Sequence, residues 1–211
     1  LVDKDLDWTS FDVVKKLRNI IKCKKVGHAG TLDPLATGLL IICTGKHTKK
    51  INEIQNQTKV YTGEFILGKS TPSHDLETEF CSTKDIKDIT IDKIELISKN
   101  FIGEQLQRPP KFSAVKINGK RAYEHARKGE NVELKSRPIV VTKLELILIP
   151  GDRLAFKINC SKGTYIRSLA RDIGNYLGLG GHLTELRRTA SGNFHLRHAM
   201  TIDEALKRIQ S

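Results

Sequence analysis

The chain has 211 residues, of which 38% are hydrophobic, and its 36 Lys and Arg outnumber its 24 Asp and Glu, giving a formal net charge of +12 at pH 7. This hydrophobic content is sufficient for a packed core and argues against a disordered chain, and the length suits one large domain. The excess of positive charge favours a polyanionic partner, because basic surfaces bind phosphate backbones with release of counterions. Charge alone leaves membranes, heparin or no specific partner open as alternatives to nucleic acid.

The four cysteines are widely spaced and form no Cys-x-x-Cys pair. They predict neither a zinc site nor a dense disulfide framework. The sequence shows no secretory signal peptide and no apolar stretch of membrane-spanning length. We therefore expect a soluble cytoplasmic protein that holds no metal and does not contact a membrane.

Apolar residues at helical spacing predict an α-helix near the start of the chain, ending near residues 22–25. The side-chain oxygens of Thr9, Ser10 and Asp12 are the candidates for capping its start. A glycine-rich loop, Gly27–Gly38, comes next. The apolar run 39–43 is typical of a buried strand. The loop is therefore expected to be held between a helix and a core strand.

The middle of the chain predicts a strand, a loop and a helix. Residues 58–67 are rich in β-branched and aromatic side chains and predict a strand. Residues 69–90 are polar and rich in turn formers, which predicts an exposed loop. A helix is expected to begin at Thr90, with an inward face made of Ile91, Ile94, Ile97 and Phe101.

The last third predicts two more strands and two more helices. Residues 138–149 and 154–160 alternate as strands do, and residues 166–177 show helical spacing. A capping box, Thr201-x-x-Glu204, opens a final helix. Together the elements predict a single α+β (mixed α/β) domain over residues 1–211, with mainly antiparallel strands.

A single carboxylate, Asp33, lies in the middle of the glycine-rich loop. Loops rich in Gly and Pro usually hold a polar group at a defined place, although an ordinary Asp-Pro turn is the alternative. A desolvated Asp33 would need a cation or hydrogen-bond donors to stay ionised. The best candidate cation is Arg167, which follows a predicted strand and opens a helix; an ordinary surface arginine is the alternative.

The loop Gly27–Gly38 resembles the Gly-His-x-Gly-x-Leu-Asp-Pro-x-Ala-x-Gly loop of the TruB family of pseudouridine synthases. The resemblance covers essentially the whole chain. Its other segments are Lys59–Tyr61, Arg108–Lys116, Gly119–Arg127, Lys162–Arg167, Gly181–Leu183 and Leu186–Thr189. It implies the pseudouridine synthase fold, in which a central, mainly antiparallel sheet is flanked by helices.

The resemblance also implies roles for individual residues. Asp33 would be the catalytic nucleophile, and Arg167 would pair with it and keep it ionised. Tyr61 would stack on the target uracil and bear on the later removal of the C5 proton, whereas simple packing in a strand is the alternative. Further substrate contacts would come from His28, Tyr165 and Leu186.

The reaction implied by the resemblance is isomerisation of uridine-55 in the T-loop of tRNA to pseudouridine, after the nucleotide is flipped out of its loop. We expect the T-stem-loop of tRNA as partner, a monomer, and no metal or organic cofactor. The basic stretch Lys111–Lys128, interleaved with aromatic residues, suits phosphate positioning and stacking. The C-terminal RNA-binding PUA domain of many relatives is expected to be absent or minimal.

Three positions depart from the family pattern: Asp5 and Asp7 replace a proline and a glycine, and Pro72 replaces an acidic residue. Three other functions remain as alternatives. A non-catalytic RNA-binding or tRNA-folding module would share the charge but has no reason to keep Asp33 beside an anionic ligand. A guide-RNA-dependent relative is disfavoured by the absence of lysine-rich tails, and a glycosidase by the absence of a second carboxylate near Asp33.

Overall fold

A computed structural model of the chain describes residues 1–86, 89–117, 119–130 and 132–210. Its helices, in chain order, are α1 Ser10–Ile21, α2 Ile51–Gln55, α3 Ile91–Asn100, α4 Ala122–Arg127, α5 Ile166–Tyr176 and α6 Ile202–Gln210. Short 3-10 helices cover Gly45–Lys50 and Leu196–His198. Its strands are β1 Val2–Lys4, β2 Val26–His28, β3 Ala36–Leu40, β4 Ile42–Thr44, β5 Lys59–Leu67, β6 Lys69–Ser70, β7 Ser82–Thr83, β8 Gly103–Gln107, β9 Lys116–Ile117, β10 Lys120–Arg121, β11 Arg137–Ile149, β12 Arg153–Cys160, β13 Gly181–Ser191, β14 Phe194–His195 and β15 Met200–Thr201.

The chain divides into two compact units. The first comprises Leu1–Thr62, Asn159–Lys162 and Glu185–Ser211, and the second comprises Gly63–Ile158 and Gly163–Thr184. Strands β5, β12 and β13 each have residues in both units. The expectation of a single domain stays a prediction.

In the first unit, strands β15, β1, β3 and β13 are neighbours in that order, and β14 pairs with β13. The pairs β1–β15 and β3–β13 are parallel, whereas β1–β3 and β13–β14 are antiparallel, so the sheet is mixed. The strand predicted over 39–43 is divided at Ile41, whose carbonyl accepts a hydrogen bond from the Ala29 N–H at 2.9 Å. The second half, β4, pairs instead with β2.

Helix α1 confirms the predicted capping. The Asp12 N–H donates to Thr9 Oγ1 at 3.0 Å, and the Thr9 N–H donates to Asp12 Oδ2 at 3.0 Å. These bonds satisfy backbone donors that the first helical turn leaves without partners. Lys22, in the left-handed conformation, ends the helix and delivers the chain to β2.

In the second unit, strands β13, β5, β12, β11 and β8 follow one another, and β8 and β11 are antiparallel. Helix α3 packs on β11, and the rings of Phe65 and Phe156 stack with centroids 4.3 Å apart. Thr90 caps α3 as predicted, and Ile94 and Ile97 are buried. Helices packed on this sheet confirm the α+β class.

Two predictions for this unit are wrong. Ile91 is 69% exposed, because it is the first residue of α3 and precedes the turn that packs inward. The segment 69–90 is not uniformly exposed, since Thr71, Ser73 and Asp75 are buried. The hydroxyls of Thr71 and Ser73 both donate hydrogen bonds to the Asp75 carbonyl, which satisfies these polar groups away from water. Residues 87 and 88 of that segment lie outside the described residues.

Strand β13 was not predicted from the sequence. Two adjacent arginines in its middle obscure the alternation of buried and partly exposed positions that the structure shows from Leu186 to Ala190.

Helix α5 contains a glycine that the second unit requires. A Cβ at Gly174 would lie 2.3 Å from the carbonyl carbon of Gly180 and 2.4 Å from the nitrogen of Gly181. Both are backbone atoms, which cannot give way as the end of a flexible side chain can. The backbone before β13 therefore approaches α5 too closely for any side chain there.

Gly174→Ala is accordingly expected to destabilise the protein by about 1–3 kcal/mol through overpacking, although alanine favours an exposed helix by about 1 kcal/mol over glycine. The midpoint of urea unfolding measures the change. Asn175→Ala, at the next and exposed position, is the control and should not lower the midpoint. An unchanged or raised midpoint for Gly174→Ala would contradict the close approach.

Candidate active site

Hydrogen bonds hold the backbone on both sides of Asp33. Before it, the Ser10 hydroxyl donates to the Leu32 carbonyl at 3.1 Å and accepts from the Leu32 N–H at 2.9 Å. After it, the Pro34 carbonyl accepts from the Asp7 N–H at 3.0 Å and from Lys4 Nζ at 3.2 Å. Asp33 itself is half-buried. The carboxylate is therefore presented by a backbone that has little freedom.

Lys4 is a buried cation of the first unit. Its Nζ also donates to the carbonyls of Asp5 and Trp8, at 2.8 and 2.7 Å. Burial lowers the pKa of Lys4 to about 8, and among the neighbouring charges Asp33 opposes this shift most. Lys4 therefore retains appreciable positive charge at neutral pH, and this charge interacts with that of Asp33.

A second buried cation, Arg188 on β13, contacts the same loop. Its side chain donates to the carbonyls of Gly30 at 3.1 Å, Thr31 at 3.4 Å and Leu39 at 2.7 Å. Arg188 is only 1% exposed. It therefore ties together the beginning of the loop and the strand that follows it.

Two loop glycines are required by this arrangement. Gly30 and Gly38 have φ angles of +101° and +98°, in the left-handed region that favours glycine. A Cβ at Gly38 would lie 2.4 Å from the Arg188 carbonyl oxygen, and one at Gly30 would lie 3.3 Å from an Arg188 side-chain nitrogen. The spacing of glycines in the loop thus reflects its contact with β13.

Tyr61, on β5, is buried in the first unit. Burial raises the pKa of Tyr61, an effect that the positive charge of Arg188 partly opposes. The negative charge of Asp33 acts on Tyr61 in the same direction as burial. The phenol therefore remains protonated at neutral pH.

Leu186 and His28 also belong to the first unit. Leu186 is opposite Ala36 in the parallel pairing of β13 with β3, so it adjoins the end of the loop. His28 ends β2 and is half-buried. Burial lowers the pKa of His28, which keeps its imidazole neutral near pH 7.

Arg167 is in the second unit, at the second residue of α5, and is 3% exposed. The alternative of a surface arginine is therefore wrong. One side-chain nitrogen lies 3.4 Å from Asp75 Oδ2 and 3.2 Å from the Ser73 carbonyl, and another donates to the Phe112 carbonyl at 2.9 Å. Asp75 is buried too, so this ion pair is desolvated. The pairing of Arg167 with Asp33 stays a prediction.

Tyr165, also in the second unit, precedes α5 and is held by Gln107. The side-chain amide of Gln107 accepts from the Tyr165 N–H at 2.8 Å and donates to the Tyr165 carbonyl at 3.1 Å. The tyrosine side chain packs against a small cluster of Val115, Ala122 and Leu134. Its place is thus fixed by both backbone and side-chain contacts.

The predicted basic stretch is exposed on β9, β10 and α4 of the second unit. Its exposed basic residues are Lys111, Lys116, Lys120, Arg121, Arg127 and Lys128. The half-buried ring of Tyr123 lies 5.5 Å from the Arg127 guanidinium. These side chains are exposed, as expected for residues that meet a phosphate backbone.

Sequence reasoning did not predict the burial of Arg188, Lys4 or Asp75. Charged residues are mostly exposed, so a charged residue in the sequence is normally expected at the surface. The one available signal concerned Arg188, which lies in Leu186–Thr189, a segment that resembles the family pattern.

Among the residues that the structure describes, no group of three or more His, Cys, Asp or Glu is arranged to hold a metal ion. In the same residues, no helix is long and apolar enough to cross a membrane.

Comparison with known proteins identifies the family. The model of the TruB family pseudouridylate synthase N-terminal domain matches residues 18–166, and that of the tRNA pseudouridylate synthase B C-terminal domain matches residues 167–210. The chain is 50% identical to tRNA pseudouridine synthase B of Flavobacterium johnsoniae, over 96% of this chain and 91% of that protein. It is 51% identical to tRNA pseudouridine synthase B of Parabacteroides distasonis, over 96% of this chain and 88% of that protein.

A solved structure of a Cbf5-Nop10-Gar1 complex contains a chain of similar fold, with a TM-score of 0.76 and 32% sequence identity. The similarity covers 98% of this chain and 52% of that one. It confirms the expected pseudouridine synthase fold. Taken with the two family models that together span residues 18–210, these likenesses show that the chain belongs to the TruB family of pseudouridine synthases.

Proposed function

We propose that this protein isomerises uridine-55 in the T-loop of tRNA to pseudouridine, with Asp33 as the nucleophile. The observation that carries the proposal is the backbone fixed on both sides of Asp33 in a member of the TruB family. Tyr61 is buried in the same unit as the loop, and the charges of Arg188 and Asp33 both act on its phenol. A carboxylate that is held in place before substrate arrives loses little freedom in the reaction.

The exposed basic residues of β9, β10 and α4 would bind the phosphates of the T-stem-loop. A base inside a folded loop cannot turn in place, so the nucleotide must be flipped out of its stack. The aromatic ring of Tyr61 would then supply the stacking surface that the flipped uracil loses. Tyr165, Leu186 and His28 would complete the contacts around the flipped nucleotide.

The reaction breaks the N1–C1′ glycosidic bond and forms a C5–C1′ bond. Asp33 would form a covalent bond with the substrate, either at C1′ of the ribose or at C6 of the uracil, and would leave again when the C5–C1′ bond is complete. The proton on C5 is then removed and N1 gains a proton, so the product is an isomer of the substrate. No oxidant, reductant or cofactor enters this balance.

A nucleophilic carboxylate must be ionised, and a nearby cation favours the ionised form. The positive charge of Lys4 interacts with the negative charge of Asp33 and so favours the ionised form. Arg167 would add a second positive charge by pairing directly with Asp33, and Asp75 would hold the guanidinium for that contact. We further expect the protein to act as a monomer in the cytoplasm.

Asp33→Ala is expected to abolish turnover while the Kd for tRNA changes by less than about threefold, because phosphate contacts dominate affinity. Release of tritium from tRNA containing 5-tritiated uridine measures turnover, and filter binding measures the Kd. Asp7→Asn is the control, because Asp7 is exposed and holds the loop through its backbone alone. Equal loss of binding and turnover would mean that Asp33 is structural, and no release by the wild type from any tRNA would favour an RNA-binding module.

Asp75→Asn is expected to lower turnover by about 100-fold, because a guanidinium displaced by even 1 Å presents its charge poorly. Asparagine keeps the shape and can still accept the Glu77 N–H, which Asp75 Oδ1 accepts at 3.0 Å. Glu77→Gln is the matched control: it breaks the exposed pair of Glu77 with Arg127 and should leave turnover nearly unchanged. Wild-type turnover by Asp75→Asn would show that the buried pair does not serve catalysis.

A further inference from the structure

Arg188 is an unusual residue to bury. A guanidinium in a protein interior is costly unless all its donors find acceptors. Among the residues that the structure describes, Arg188 forms no ion pair with a carboxylate, and its hydrogen bonds go to the three backbone carbonyls. A neutral side chain could fill the same space at lower cost, so the charge and the shape of the fork need another explanation.

The hydrogen-bond partners of Arg188 lie on both sides of Asp33 in the sequence. The carbonyls of Gly30 and Thr31 precede Asp33 by three and two residues, and that of Leu39 follows the loop. A single rigid guanidinium therefore links the part of the loop that precedes Asp33 to the strand that follows the loop.

The loop and β13 are also fitted to each other around this residue. Gly38 is opposite Arg188 in the strand register, and Gly30 lies against its side chain. Neither position has room for a Cβ without displacing Arg188 or its backbone. The glycines of the loop and Arg188 thus form one packing unit, although about 150 residues separate them in sequence.

We propose that Arg188 is a positioning residue for pseudouridine formation, which fixes the loop that carries Asp33 against β13. The proposal rests on the proposed function of Asp33. Arg188 acts through the backbone of the loop and does not touch the substrate. Its guanidinium suits this task better than a lysine ammonium, because its donors lie in one plane and can hold several acceptors at once.

The principal test is Arg188→Lys, which keeps the charge and removes the fork. We expect the single-turnover rate of tritium release, per folded molecule, to fall by about tenfold to 100-fold, while the Kd for tRNA changes by less than about threefold. Deuterium uptake by the backbone of residues 27–38 should increase locally. Arg153→Lys is the control, since Arg153 also lies on a strand and donates to a carbonyl and to Glu64, outside the loop.

A second variant, Gly30→Ala, tests the same link from the other side. Its Cβ would lie 3.3 Å from the end of the Arg188 side chain, which would have to shift slightly, and alanine is also strained at the φ angle of Gly30. If both changes disturb one contact, the double variant should be less impaired than the product of the two single effects. If Arg188→Lys does not fold, a wild-type rate and wild-type deuterium uptake of residues 27–38 in Gly30→Ala would overturn the proposal.

Three outcomes would overturn the proposal: a wild-type rate for Arg188→Lys, a loss of rate that only follows the folded fraction, or effects of the two changes that simply multiply. The proposed function fails separately, if the wild type releases no tritium. In that case the deuterium uptake of residues 27–38 still decides whether Arg188 holds the loop.

Discussion

The arrangement of the first unit depends on one constraint: a buried cation needs hydrogen-bond acceptors. Each side-chain nitrogen of Arg188 and of Lys4 donates to a backbone carbonyl, and most of those carbonyls belong to the Gly27–Gly38 loop or adjoin it. Because a carbonyl moves only with its chain, each bond fixes the loop as well as the cation. The cost of burying the two charges is thus coupled to the precise placement of Asp33.

The second unit also contains a buried cation, but one of its partners is a carboxylate. Arg167 has a carboxylate partner, Asp75, as well as the carbonyls of Ser73 and Phe112. Such a pair is seldom worth its desolvation as a source of stability, since apolar residues of similar size often do as well. The burial of this pair is more easily understood as orientation of the guanidinium. In both units, burying charged groups lowers the stability of the fold, and the hydrogen bonds that this burial requires fix those groups in place.

Local patterns predicted the elements that depend on local forces. The cap of α1, the start of α3 and the long strands β11 and β12 follow from capping residues and periodicity, and the structure confirms them. Strand β13 and the burial of Asp75 depend on contacts between distant segments, which periodicity does not encode. The candidate site residues were identified by the resemblance to the TruB family. The sequence did not indicate that the buried side chains of Arg188 and Lys4 donate hydrogen bonds to the backbone of the loop.

Asp5 and Asp7 depart from the family pattern, and the structure shows which backbone contacts these two positions make. Asp7 stands where the family has glycine, and its φ of +63° shows why glycine is common there. Aspartate tolerates this left-handed conformation better than most residues. The contact made at that position is from the Asp7 N–H to the Pro34 carbonyl, which any residue of that conformation provides. Similarly, Asp5 offers Lys4 its carbonyl, as the proline would. The backbone contacts with Pro34 and Lys4 are therefore kept at these two positions, and the side chains of the two extra carboxylates are exposed.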